Sequence, residues 1–274
     1  MTGAQEWQGR VGQNWAAEWE RTDRSFAALT PHLLAAIANE PGERIVDIGC
    51  GAGELSLALA KARATAKITG IDISEDLVAA ARMRAVGVPS VTFEVADAAS
   101  WTSADGPADL FVSRHGVMFF DNPPAAFAHL ARIAAPGARL VFSCFRAARD
   151  NIWASEIARL LPPSKPAVSA PFPPGPFAFA DPDHVRTCLS GWRDVQVEPL
   201  DFAYVAGSGQ NPVADALSFF DRIGPAASAI RTLPDIARAS FERGLLDLVQ
   251  SCHVGGRVCF PAAVWLVTAT ADNG

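Results

Sequence analysis

Val46-Asp47-Ile48-Gly49-Cys50-Gly51-Ala52-Gly53-Glu54 decides the reading of this chain. A β-branched run, Arg44 to Ile48, ends in alternating glycines, and Leu55 to Ala60 then has helical composition. A strand that passes into a helix through glycines lets the backbone approach a bound group closely and aims helix N–H groups at it. Outward from this loop the rhythm repeats. Lys67 to Ile71 and Val91 to Val95 read as strands, and Asp76 to Ala85 as a helix capped by Ser74. Asp109 to Ser113 reads as a fourth strand. A helix from Ala125 to Ala134, opened by Asn122-Pro123, leads through the turn Pro136-Gly137 to a fifth strand, Arg139 to Phe145. Strands alternating with helices predict an α/β fold, a doubly wound parallel sheet covered on both faces by right-handed crossovers.

Two nucleotide ligands compete for such a loop. A dinucleotide site wants small residues at the first, third and sixth loop positions, where the pyrophosphate lies. Here Glu54 stands at the sixth, and its carboxylate repels a diphosphate. Asp47 adds a second negative charge before the loop. That pair suits a ligand carrying a cation, such as the sulfonium and ammonium of S-adenosylmethionine. Asp72 ends the second strand, where a carboxylate accepts hydrogen bonds from ribose hydroxyls. Asp97 follows the third, in reach of an adenine amino group. The bland alternative is that these three acids only cap turns.

Val46 to Gly53, Gly70-Ile71-Asp72-Ile73-Ser74, Val95-Ala96-Asp97-Ala98 and Ala135 to Leu140 together resemble the successive motifs of class I S-adenosylmethionine-dependent methyltransferases. The group most similar is the small-molecule type of quinone biosynthesis. The resemblance implies a Rossmann-like seven-stranded sheet whose last strand, Trp265 to Ala269, is antiparallel. It also implies S-adenosylmethionine as cofactor, contacted from Asp47, Gly49, Cys50, Gly51, Gly53, Asp72, Ile73, Asp97 and Ala98, with Arg114 near the methionine end. Ala138 departs from the usual second glycine, in a turn away from the cofactor.

The 274 residues carry 23 Lys+Arg against 29 Asp+Glu, a net charge of −6, and half are apolar. That is enough apolar matter for a folded core and too little basic charge for a nucleic-acid clamp. No apolar run has the roughly 18 residues of a membrane span, and the first residues lack the pattern of a signal peptide. Five scattered cysteines suit thiols in a reducing compartment, so a cytoplasmic protein without membrane or nucleic-acid partners is expected. Cys252, His253 and Cys259 lack zinc-site spacing, so no metal is expected.

Domain organisation is read as an N-terminal helical segment, 1–40, before a methyltransferase domain, 41–274. Lid or cap insertions are placed at about 150–182, where prolines crowd, and 211–250, where Val213 to Leu248 looks helical. Val195 to Leu200 and Ala263 to Ala269 are the remaining strands. Trp15 is the choice for pocket contact, with Trp7 and Trp19 as packing residues. Phe172, Phe177 and Phe179 are either a pocket roof or core. His115, after the fourth strand, is the candidate general base, the alternative being a polar residue that merely lines the pocket. His184 reads as structural, and His32, His129 and His253 as solvated. Asp121-Asn122-Pro123-Pro124-Ala125 suggests the amino-group clamp of N-methyltransferases, but a helix cap explains it better. The expected activity is methyl transfer to a small apolar or aromatic molecule, at oxygen or carbon in preference to nitrogen. A NAD-dependent oxidoreductase and a non-catalytic cofactor-binding protein are the alternatives. The only tyrosine, Tyr204, leaves no Tyr-x-x-x-Lys pair for the former.

Overall fold

The computed structural model describes residues 4–162 and 171–273. Strands β1 (Arg44–Ile48), β2 (Lys67–Asp72), β3 (Val91–Val95), β4 (Ala108–Arg114) and β5 (Ala134–Phe145) pair in parallel in the order β3-β2-β1-β4-β5. The order reverses between β1 and β4, and a doubly wound sheet opens its crevice at such a point. The sheet continues through β8 (Arg257–Ala271), antiparallel to β5, to β6 (Trp192–Gly207), antiparallel to β8. The main path has the seven strands and the antiparallel strand expected. An eighth element, the two-residue β7 (His253–Val254), forms a tight hairpin with β8 through Gly255-Gly256.

The central strands are buried because they are apolar throughout: Ile45, Val46, Ile48, Leu110, Phe111, Val112, Leu140, Val141 and Phe142 lie in the core. Helices Glu54–Ala62, Glu75–Arg84 and Pro123–Ile133 cover the faces, the second capped by Ser74 and the third by Asn122. Before the sheet come helices Ala4–Trp7, Arg10–Ala17, Trp19–Phe26 and Thr30–Ala38. Leu33 and Ile37, spaced by four, share the inner face of the last of these, and burying each is worth roughly 1.5–3 kcal/mol. Helix Arg10–Ala17 sits against the end of β2, because a Cβ at Gly12 would lie 2.2 Å from the Ser74 hydroxyl.

After β5 come helices Ile152–Arg159 and Pro182–Cys188, and after β6 helices Pro212–Phe220, Gly224–Thr232 and Asp235–Ser251. The proline-rich stretch read as a lid falls partly outside the described residues, at 163–170. Among the described residues, no helix is long and apolar enough to cross a membrane. The N-terminal helices are tied to the inserted ones by ions. Arg24 reaches Asp215 at 2.7 Å and the Ala206 carbonyl at 2.7 Å, Arg21 reaches Asp215 at 3.0 Å, and Arg222 reaches Glu18 at 2.8 Å.

Candidate active site

The C-terminal ends of β1, β2, β3 and β4 surround a cavity of about 410 Å³. Its floor is the glycine loop. Gly49 and Gly51 have φ of 62° and 55°, a left-handed backbone that favours glycine. Any side chain at Gly49 would meet Gly116 Cα at 2.7 Å, and one at Gly116 would meet the Ile48 carbonyl at 2.4 Å. The loop and the turn after β4 therefore touch backbone to backbone.

Asp72 braces this floor: one oxygen accepts from Gly51 N–H and the other from Ser74 N–H, both at 2.9 Å. The carboxylate lines the cavity, and its two oxygens have acceptor capacity beyond these two bonds, the capacity a ribose diol requires. Asp47 is fully buried, accepts the Ser56 hydroxyl on Oδ2 at 2.6 Å, and leaves Oδ1 without a partner. Burial pushes its carboxyl up to about 7, the Ser56 hydrogen bond opposing the shift. Burial also pushes Asp72 up, against the pull of its backbone donors. An orphaned carboxylate oxygen beside a diol acceptor fits a nucleoside with a cationic tail. Asp97 holds its own turn through Ala99 N–H at 2.9 Å and lines the cavity with Ala98.

Of the residues read as cofactor contacts, Asp47, Gly49, Cys50, Gly51, Asp72, Ile73, Asp97, Ala98, Arg114 and Trp15 line the cavity. Gly53 does not: a Cβ there would strike the Phe93 ring at 2.7 Å, so this glycine lets helix and strand pack. Glu54 plays a different part from that read in the sequence. Arg114 pairs with it, Thr30 donates to it at 3.1 Å, and its charge is spent inside the wall. Asp23, which no local motif marks, joins the same group, 4.0 Å from Arg114 and 2.5 Å from Arg84. Trp7 and Trp19 line the cavity beside Trp15, as do Asp121 and Asn122, although the Asn122 side chain is occupied in capping Ala125 N–H at 3.3 Å.

The far end of the cavity is aromatic. His115 has φ of 65° and stacks on Phe145, ring centroids 4.2 Å apart. Phe26 lies 5.0 Å from His115 and edge-on to Tyr204 at 5.5 Å, and Tyr204 stacks on Trp153 at 5.5 Å. Both His115 ring nitrogens and Trp153 Nε1 are buried without partners. Desolvation, helped by the Arg114 charge, holds His115 well below its usual range, so it stays neutral. Pro176, Phe220, Ile223, Gly224 and Pro225 complete this end. The three phenylalanines considered for a roof do not line it. Phe179 is in the core, Phe177 packs behind Phe145 and Trp153, and Phe172 stacks on His184 at 3.7 Å.

His32 and His253 are exposed, but His129, expected in solvent, is buried and bonded to the Trp101 carbonyl at 2.7 Å. All five cysteines are unpaired. Among the described residues no cluster of three or more His, Cys, Asp or Glu could hold a metal.

Comparison with known proteins places this geometry. The methyltransferase domain family matches residues 19–174, which span β1 to β5. An uncharacterized protein of Mycobacterium tuberculosis (strain ATCC 25618 / H37Rv) is 33% identical over 151 residues, 54% of this chain and 53% of its own length. Trans-aconitate 2-methyltransferase of Variovorax paradoxus (strain S110) is 34% identical over 105 residues, 38% of this chain and 39% of its own. The chain thus spans about half or less of the curated relatives it matches. The same fold occurs in phosphoethanolamine N-methyltransferase 2 of Haemonchus contortus, solved with S-adenosyl-L-methionine. Its TM-score is 0.56 at 15% identity, covering 94% of this chain and 56% of that one.

Proposed function

This chain belongs to the methyltransferase domain family, and on that premise we propose that it moves the methyl group of S-adenosylmethionine to a small, apolar or aromatic molecule. The observation that carries the cofactor reading is Asp47, Asp72 and Asp97 at the ends of three successive strands, around a left-handed glycine floor. S-adenosylmethionine supplies a methyl group activated on a sulfonium. Asp72 takes the ribose hydroxyls, Asp97 and Ala98 the adenine end, and the free Oδ1 of Asp47 the ammonium. Gly49, Cys50, Gly51 and Ile73 form the contact surface, and Trp15 covers it. Arg114 acts through Glu54, holding the wall beside the methionine end.

What remains for the chain is alignment and the exclusion of water, which convert an encounter into a near-attack geometry. The aromatic end does both. His115, kept neutral, is the candidate base of this end, its ring nitrogen accepting a hydrogen bond from an acceptor hydroxyl and orienting it for attack. Asn122, the residue an amino-group clamp would use, is tied up as a helix cap, which favours methylation at oxygen or carbon. Residues 1–40 and the insertions at about 150–182 and 211–250 contribute walls to the acceptor end, joined there by His115 and Phe145, while the strand ends of 41–274 hold the cofactor under Trp15.

Calorimetry tests this: S-adenosylmethionine and its demethylated product should bind, and NAD should not. Measurable NAD affinity without affinity for either adenosyl ligand would replace the methyltransferase reading by the oxidoreductase one.

A further inference from the structure

We infer that the acceptor pocket selects against anions and takes a flat, uncharged molecule bearing a hydroxyl, held by His115 and Trp153. The inference rests on the methyltransferase reading and narrows its substrate class.

Charge makes the first half of the case. Six carboxylates line the cavity, and among the described residues Arg114 is its one guanidinium or ammonium. That guanidinium is committed to Glu54 and Thr30, and its plane lies over Phe26 at 5.1 Å. A carboxylate or phosphate entering here leaves water for a site with no available counter-ion. Desolvating an anion without a partner is strongly unfavourable.

The unpartnered polar atoms make the second half. Trp153 Nε1 can only donate, and a neutral imidazole has one nitrogen that accepts. A hydroxyl can meet either need, accepting from the indole or donating to the imidazole. The rings around them, Phe26, Phe145 and Tyr204, offer stacking faces and edges to a planar partner. Phe26 comes from the N-terminal helices, Phe145 from the end of β5 and Tyr204 from β6, so the box is assembled from distant parts of the chain.

The test uses full-length protein saturated with S-adenosylhomocysteine. Neutral hydroxyarenes of one to three rings are titrated beside the arenecarboxylates of the same ring systems, with calorimetric readout. At least one hydroxyarene should bind, and its carboxylate partner should bind at least tenfold more weakly. His115→Phe and Trp153→Phe should each weaken the hydroxyarene about five- to tenfold, the loss of one neutral hydrogen bond. Both should leave S-adenosylhomocysteine affinity and the parent arene without the hydroxyl unchanged, a split that mere packing would not give. Carboxylates binding as well as their partners, no hydroxyarene binding at 1 mM, or equal losses for hydroxyarene and parent arene in both variants would each overturn the inference. Failure of S-adenosylhomocysteine itself to bind would instead strike the methyltransferase reading.

Discussion

Replacing Asp47 by asparagine should flatten the pH dependence of cofactor binding below neutrality. The carboxyl lies wholly inside the protein, with one oxygen on Ser56 and the other unpartnered, and burial raises it to about 7. A ligand ammonium at that oxygen favours the ionised form, so binding expels the proton held at lower pH. With the free group at about 7 and the bound group well below 5, affinity should fall about fiftyfold from pH 7 to pH 5, roughly 2 kcal/mol. S-adenosylhomocysteine is the ligand to use, being free of turnover. Calorimetry in two buffers of different ionisation enthalpy at pH 7 should show about half a proton released. Asp47→Asn should bind with a shallower slope and release correspondingly fewer protons. Stability moves the opposite way. The raised group stabilises the free fold fully below about pH 4 and loses that contribution as pH rises through about 7, by up to about 4 kcal/mol. The variant should therefore unfold at higher temperature than the parent at pH 8, ligand-free. Identical affinity slopes in parent and variant would refute the placement of a cation at Asp47.

Asp72→Ala should weaken cofactor binding at least about tenfold, through loss of charge-assisted bonds worth roughly 1.5–3 kcal/mol each, while circular dichroism stays unchanged; full affinity would take Asp72 out of the site. Gly116→Ala drives a methyl into the Ile48 carbonyl and should cost about 1–3 kcal/mol in urea unfolding, so a neutral result contradicts the backbone contact. Hydrogen exchange should be fast in 213–248 in the free protein and slow once cofactor and acceptor are both bound; full protection without ligand would make this segment a fixed wall. Arg24→Ala should loosen the same segment together with 10–26, because Arg24 bonds Asp215 and the Ala206 carbonyl, and exchange confined to one side would show that the ion pairs do not couple them.

Legibility in the sequence followed locality. Strand β1 occupies the residues read for it, and β2 to β4 differ by a residue or less at each end, because their signals lie within each segment. Strand β6 is far longer than Val195 to Leu200. It pairs on one side only, so its solvent-facing positions are polar, and Pro199 and the left-handed Asp194 interrupt the pattern. Its partner β8 lies some way along the chain. Most residues read as cofactor contacts line one cavity for the same reason: they sit within a few positions of strand ends. Glu54 was misjudged because Arg114, which neutralises it, is 60 residues on. His129 was misjudged because its acceptor is a backbone carbonyl 28 residues back. Phe26, Tyr204 and Trp153 meet only in three dimensions, and no spacing marks them.

The acceptor box, built from pieces on either side of the cofactor strands, has a consequence for how such a chain can change. The nucleotide floor joins three neighbouring parts that support one another: Gly49 to Gly51, Asp72 beneath them and Gly116 against them. The box is modular: Phe26 lies in one peripheral segment, and Tyr204, Phe220 and Ile223 lie beyond residue 174, where the family match ends. Exchanging an inserted helix changes the walls around Tyr204, Phe220 and Ile223, whereas the N-terminal helices also carry Trp15, Asp23 and Thr30 beside the nucleotide floor. A laboratory redesign should follow the same division, randomising the inserted helices and leaving the strand ends intact.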